Sequence, residues 1–293
     1  MTELPPVRVG AVAYLNTRPL VEGLAGAPGI DLSFAVPSEL ARQLADGDLD
    51  VALLPTIELA RIPGLVLLPG LGIECDGAVR SVLLVSRRPL SLVRRVALDP
   101  ESRTSNALTQ VLFHERFGDG NEGRVEFEPA PAGATLAELL EDHDFDAAVR
   151  IGDKALGDPI PEGVEAHDLG AAWLEATGRP FVFAAWVARG TAATTTAPTN
   201  TAPTNTVPPS TLERLEEAYA LGRSRIDAIA REHASTRGID AAVAASYLRD
   251  NIRFELDDEA IEAIRVFHTL AARHGITTSA PDIVLGPRPR PVS

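Results

Sequence analysis

The side chains best suited to chemistry sit in short polar segments that follow apolar runs. The clearest is ESRTSNAL, where Ser102, Thr104 and Ser105 stand between the apolar run Val96, Ala97, Leu98 and a helical pattern through Leu108, Val111 and Leu112. Hydroxyl residues cap helices, and the first turn of a helix leaves backbone N–H groups free to hold a carboxylate or phosphate. The SRTS turn is therefore a candidate anion cradle, with plain N-capping as the other reading. AYLNTRPL places Asn16 and Thr17 just ahead of Pro19, which suits a first helical turn, so Asn16 either meets a ligand or caps. Pro55 and Thr56 close the run VALLP, and Gly152 and Asp153 follow FDAAVRI, where glycine permits close approach of the backbone. Asp153 is a site residue in one reading and the cap of a short helix in the other.

The same inventory excludes several chemistries. Cys75 is the only cysteine, so a disulfide framework and a multi-cysteine metal site are excluded. It lies in GIECDGAV, which reads as a turn-rich connection, and without a placed histidine it is a small buried hydrophobe rather than a nucleophile. Lys154, the only lysine, lacks the glycine-rich loop of a phosphate-binding lysine. A formal net charge of −14 gives long-range attraction the wrong sign for nucleic acid or an anionic membrane surface. No run approaches the roughly 20 apolar residues of a membrane span, and the N-terminus has no signal-peptide pattern, so the expected home is cytoplasmic.

These segments need elements to position them. Val7 to Val12, Asp31 to Val36 and DLDVALLP read as strands, with a helix over Ser38 to Ala45 capped by Ser38 and stopped at Gly47. Such a βαβαβ rhythm implies parallel strands with right-handed crossovers, which brings Asn16, Pro55 and Thr56 to one rim, at the carboxyl ends of the strands where ligands gather. Leu65 to Leu68 and Arg80 to Ser86 are further strands. The rhythm restarts at Val96, then Val125 to Phe127, a helix over Thr135 to Glu141, the strand Phe145 to Val149, and a helix from Leu169 to Thr177 capped by Asp168 and ended by Gly178. PFVFAAWVAR is an apolar strand long enough to return to the first lobe. The threonine, proline and alanine-rich stretch near 191–208 cannot build a core and reads as a mobile surface insertion. After Pro209 the pattern is helical to about Gly275, over Thr211 to His233, Ile239 to Asn251 and Asp258 to His274. The expected organisation is a discontinuous first lobe, residues 1–87 with 185–293, and a second lobe, 88–184.

Two α/β lobes with facing strand-end loops resemble the type II periplasmic-binding-protein fold, with central mixed sheets, flanking helices and a ligand cleft between the lobes. AYLNTRPL, LDVALLPTIELAR, IECDGAVRSVLLVSR, ESRTSNAL, AAVRIGDKAL and DLGAAWLEATGRPFVFAAW together resemble the chorismate dehydratase family of the futalosine route to menaquinone, nearly continuously over residues 7 to 188. SYLRDNIRFELDDEAIEAIRVFHTLAARHGI fits the family's closing helices less specifically. Arg150 departs from the usual apolar residue before IGD.

The resemblance implies that chorismate, a dicarboxylate, loses its ring hydroxyl and the proton on the neighbouring ether-bearing carbon, with no metal and no organic cofactor. It implies Thr104 and Ser105 for one carboxylate and Asn16 and Ser81 at the facing lobe. The expected site is then Asn16 as the catalytic residue, with Thr56, Ser81, Arg103, Thr104, Ser105, Gly152 and Asp153 binding substrate. No histidine lies in these loops, so the substrate's enolpyruvyl carboxylate is the expected base and Asp153 the competing one. A solute receptor is the alternative class, and a sister activity making dihydroxynaphthoate typically opens with a Cys-Pro-Asn-Asp loop that AYLNTRP lacks. Oligomeric state is not legible.

Overall fold

Runs such as Val51–Pro55 and Ala147–Ile151 are buried along nearly their whole length, as strands covered on both faces must be. A computed structural model describes residues 5–117, 125–190 and 207–287 and places these runs in two separate sheets. In chain order the described strands are β1 (Val7–Ala11), β2 (Ile30–Phe34), β3 (Val51–Pro55), β4 (Leu65–Cys75), β5 (Val82–Ser86) and β6 (Arg95–Leu98). They continue with β7 (Glu126–Pro129), β8 (Ala147–Ile151), β9 (Glu165–Asp168), β10 (Phe181–Arg189), β11 (Arg253–Leu256) and β12 (Val284–Leu285). The first sheet has the order β11-β4-β10-β3-β1-β2, with β12 also on β4, and the second β7-β6-β8-β5-β9. Both are mixed. β1 runs parallel to β2 and β3, whereas β10 is antiparallel to β3 and β4. In the second sheet β6 is parallel to β7 and β8, and β5 is antiparallel to β8 and β9.

The helices are α1 (Arg18–Val21), α2 (Pro37–Asp46), α3 (Glu58–Arg61), α4 (Arg103–Leu112) and α5 (Gly152–Gly157). After them come α6 (Leu169–Thr177), α7 (Pro209–Ser224), α8 (Ile226–Arg237), α9 (Ala241–Ser246) and α10 (Asp258–Arg273). The chain's end is tied to its middle by aromatic packing: Phe181 on β10 makes edge-to-face contacts at 5.1 Å with both Trp173 of α6 and Phe267 of α10. All three rings are fully buried, and each such pair adds about 0.5–1.5 kcal/mol beyond its area. Gly222 lets α7 lie directly on α1, because a Cβ there would strike the backbone of Pro19.

Several expectations need correcting. The segment GIEC is strand rather than turn: β4 continues to Cys75 because β10 and β11 pair with it on either side, Phe181 opposite Cys75 and Arg253 opposite Glu74. β5 lies in the second sheet, so the first crossing falls between Cys75 and Val82 rather than at residue 87. β10 lies wholly in the first, so the return falls between Asp168 and Phe181 rather than at 185. α2 starts at Pro37 after Val36, which leaves Ser38 in the first turn without a capping bond. The helix expected over Thr211 to His233 breaks at Arg225, and the link between the helices expected to end at Asn251 and start at Asp258 supplies β11. The stretch near 191–208 lies outside the described residues, apart from Val207 and Pro208.

Candidate active site

Loops at the carboxyl ends of β1, β3, β6 and β8 converge with a C-terminal helix on one cleft between the two sheets. Its walls include Tyr14, Asn16, Pro55, Ser81, Glu101, Ser102, Thr104, Ser105, Gly152, Asp153, Phe183 and Tyr247, around about 740 Å³ of space. Two carboxylates line this cleft and, among the described residues, no lysine or arginine does. Lys154 and Arg237 line an adjoining outer opening with Phe34 and Val36, and Lys154 Nζ stands 3.6 Å from Glu101. Burial and the nearby carboxylates of Glu101, Asp99 and Asp153 push the Tyr14 phenol upward, so it stays protonated.

Hydrogen-bond donors gather on this wall at the start of α4. Ser102 is the N-cap: its Oγ accepts the Ser105 N–H at 3.3 Å and donates to the Ser105 hydroxyl at 2.7 Å. The Ser105 hydroxyl proton then has no acceptor among the described residues, and the N–H groups of Arg103 and Thr104 have no carbonyl one turn back within the helix. The helix dipole adds partial positive charge at the same point. Ser102 alone caps the helix, which leaves the Ser105 hydroxyl proton and the first N–H groups of α4 as donors.

On the facing wall, the Asn16 amide does not cap a helix. The turn after it, Leu15–Thr17 leading into α1, has no side-chain capping bond. Instead Asn16 Nδ2 donates to the Tyr247 hydroxyl at 3.1 Å, and that hydroxyl lies 2.8 Å from Ser81 Oγ. Tyr247 opens a π-helical turn, Tyr247–Asn251, after α9, and is completely buried, which pushes its phenol well above the ordinary range. Asn16 Oδ1 is buried without a partner among the described residues.

Ser81 is held by its neighbours. Arg80 takes a positive φ of 61°, a strained value for a long side chain. The Asp168 carboxylate fixes it by accepting the N–H groups of Val79 at 3.0 Å and Arg80 at 2.6 Å, while also capping α6 through Gly170 and Ala171. The Gly152 N–H donates to the Ser81 carbonyl at 2.8 Å, closing the connection to β8. Gly152 has φ 57° and open space where a Cβ would be, so backbone conformation is what requires glycine there.

Asp153 does not cap α5. Its carboxylate faces His233 of α8, with Nε2 at 2.9 and 3.0 Å from the two oxygens and Arg237 at 4.0 Å. Sequence reasoning missed His233 and Tyr247, since a lone histidine or tyrosine on a C-terminal helix carries no local signal of a site 80 or 231 residues away.

Of the expected residues, Asn16, Ser81, Thr104, Ser105, Gly152 and Asp153 come together on the cleft wall. Thr104 Oγ1 also accepts the Ile57 N–H across the lobes at 3.3 Å. Thr56 and Arg103 are not on that wall. Thr56 Oγ1 donates to the Val182 carbonyl at 2.8 Å, and Arg103 pairs with Glu58. Arg150 of β8 is buried and forms an ion pair with Asp158, which accounts for a charge in an apolar strand.

Among solved structures, an Archaeoglobus fulgidus protein has TM-score 0.71 at 15% identity, covering 92% of this chain and 98% of that one. The periplasmic aliphatic sulphonate binding protein of Escherichia coli has TM-score 0.67 at 19% identity, covering 99% and 95%. At such identities the likeness defines the fold alone, that of periplasmic binding proteins. A chorismate dehydratase of Thermus thermophilus is 29% identical over 270 residues, 86% of this chain and 90% of that protein. A chorismate dehydratase of Campylobacter jejuni is 32% identical over 171 residues, 58% of each. The family model described as menaquinone biosynthesis matches residues 7–273, nearly the whole of both lobes, and the chain belongs to that family.

Proposed function

We propose that this protein is a chorismate dehydratase, a carbon–oxygen lyase that converts chorismate to 3-[(1-carboxyvinyl)oxy]benzoate and water on the futalosine route to menaquinone. The family match and the shared activity of the Thermus and Campylobacter relatives support the reaction. The observation that supports it at the site is one cleft in which the donor-rich start of α4 faces Asn16, with no side-chain cation on the wall among the described residues. Such a site suits a substrate whose carboxylates are held by N–H and O–H groups and whose reacting carbons need positioning.

The base takes the proton from the ether-bearing ring carbon, its electrons form the third ring double bond, and the hydroxyl leaves the adjacent carbon. Aromatisation supplies the driving force. The substrate's enolpyruvyl carboxylate is the base, and its captured proton departs with the hydroxyl as water. Thr104 and Ser105 hold a carboxylate at the start of α4, Ser81 and Gly152 line the opposite side, and Asn16 positions the reacting groups. Asp153 is the competing base, with both its oxygens within hydrogen-bond distance of His233. A single buried free cysteine suits a reducing, cytoplasmic compartment.

Purified protein incubated with chorismate should yield a product lighter by one water, with an aromatic absorption. Tight chorismate binding without any product would instead identify a carrier.

A further inference from the structure

Three hydrogen-bonding groups from three distant parts of the chain meet at one buried point, and giving each proton an acceptor selects a direction. A phenol has one proton. The Tyr247 and Ser81 hydroxyls lie 2.8 Å apart and either can donate; with Asn16 Nδ2 donating to the phenol at 3.1 Å, the arrangement that leaves no buried proton without an acceptor has Tyr247 donate to Ser81 Oγ. In that arrangement the Ser81 hydroxyl proton is released toward the cleft as a donor, and Asn16 Oδ1, buried and unpartnered, is left as an acceptor. Reversing it would require Ser81 to donate inward and Tyr247 to donate to Oδ1. The two ends of the chain of bonds are therefore coupled: a carboxylate taken by Ser81 polarises Tyr247 and Asn16 in the same sense and strengthens the acceptor at the far end.

Chorismate with both carboxyl groups ionised has a single hydrogen-bond donor, the ring hydroxyl that leaves. The dehydrated product keeps both carboxylates and has no donor. We infer that Tyr247 is a positioning residue that fixes the polarity of the Asn16 amide, so that Oδ1 selects the leaving hydroxyl of the substrate and disfavours the product that lacks it. The inference rests on the dehydratase reading and deepens it, because it places the leaving hydroxyl at Asn16 and a carboxylate at Ser81. Product binding leaves the buried Oδ1 unpaired, and sites built to pair with a substrate hydroxyl reject its absence strongly. Release of product follows from the same geometry that orients the substrate.

The test compares KM for chorismate with the inhibition constant of the product in wild type, Tyr247→Phe and Ser81→Ala. In wild type the product should inhibit weakly relative to KM. Tyr247→Phe keeps the ring and removes the polarity lock, so the amide can turn. The ratio of product inhibition constant to KM should then fall about tenfold, the discrimination expected of one hydrogen bond to a neutral partner, with kcat lowered as well. Ser81→Ala frees the Tyr247 proton to turn toward Oδ1, so its ratio should fall in the same direction, and it carries the test if Tyr247→Phe does not fold. A purely structural role for Tyr247 would lower melting temperature and leave the ratio unchanged. An active wild type with ratios in both variants within about twofold of it would overturn the inference alone. A wild type inert toward chorismate would remove the dehydratase reading and this inference together.

Discussion

Arg103 Nη1 stands 3.1 Å from both carboxylate oxygens of Glu58, an ion pair made from opposite lobes. Glu58 begins α3 after β3 of the first sheet, and Arg103 begins α4 after β6 of the second. One residue before Glu58, the Ile57 N–H donates to Thr104, one residue after Arg103. Side chain and backbone thus clamp the same two segments, and the clamp sets where the start of α4 faces Asn16. The Glu58 side chain is almost fully buried, while Arg103 is part-exposed.

Arg103→Met leaves that buried carboxylate with Arg61 alone, at 3.4 Å. The expected loss is about 1–3 kcal/mol of stability, mostly from stranding Glu58 rather than from the pair's net worth. Glu58→Gln with Arg103→Met should therefore cost less than the two single losses added. Urea unfolding of all four proteins measures this. If Arg103 met substrate, the opposite split would appear, with KM raised and stability intact.

Thr104 and Ser105 are adjacent, yet their hydroxyls face different tasks. Thr104→Val leaves the Ile57 N–H buried and unpaired, at about 1–3 kcal/mol of folding stability. Ser105→Ala keeps the Ser105 N–H that Ser102 accepts in capping α4, and removes both the acceptor of the part-buried Ser102 hydroxyl and the donor proton that lacks an acceptor among the described residues. A hydrogen bond to a charged group contributes about 1.5–3 kcal/mol, so chorismate affinity should weaken roughly ten- to hundredfold with little change in melting temperature. Calorimetric melting and chorismate KM on the two single variants separate the roles.

Much of this site was legible because its parts obey local rules. Asn16, Ser102, Thr104 and Gly152 all follow apolar strands and lie at or within a turn of a helix start, and that pattern is visible in any short window. The failures share a cause in long-range pairing. GIEC reads as a turn until β10 and β11 lie on either side of it, and the short link between Asn251 and Asp258 reads as no element until it pairs with β4. Arg103 looked like a substrate ligand because no local rule announces Glu58, 45 residues earlier. Tyr247 reaches the cleft, and His233 reaches Asp153 behind it, from helices that look like plain surface cover.

His268 gives the clamp a pH dependence. Buried on α10, its Nε2 donates to the Thr56 carbonyl at 3.1 Å, just before Ile57 and Glu58. Burial pushes its pKa down to about 4, from an ordinary value of 6.5, with the Thr56 bond opposing. The folded protein thus prefers the neutral ring, so this contribution is fully present above pH 6.5 and is lost as pH falls toward 4. The shift corresponds to about 3 kcal/mol at its limit. Unfolding free energy should decline between pH 6.5 and 4, and His268→Gln should flatten that part of the curve. An unchanged slope would place the acid sensitivity elsewhere.

Asn16 and Asp153 face the same cleft with different commitments. Asn16 donates to Tyr247 and leaves Oδ1 open, whereas both Asp153 oxygens face His233. Asn16→Asp puts a carboxylate beside a dianionic substrate and takes the donor from Tyr247, so turnover should fall on the order of a hundredfold or more, as on losing a preorganised polar group. The fold should survive, because the replacement is nearly isosteric. A general base contributes about 10²–10⁴ to rate. If the substrate's own carboxylate does that work, Asp153→Asn should stay within about tenfold of wild type, and the loss should be in KM as much as in kcat. Single-turnover measurements with excess enzyme isolate the chemical step from product release. Near-normal chemistry in Asn16→Asp, or its abolition only in Asp153→Asn, would make Asp153 the base and reduce Asn16 to a bystander. The reverse pattern leaves the cleft as a device for positioning, in which the substrate supplies the reactive group and the protein supplies its geometry.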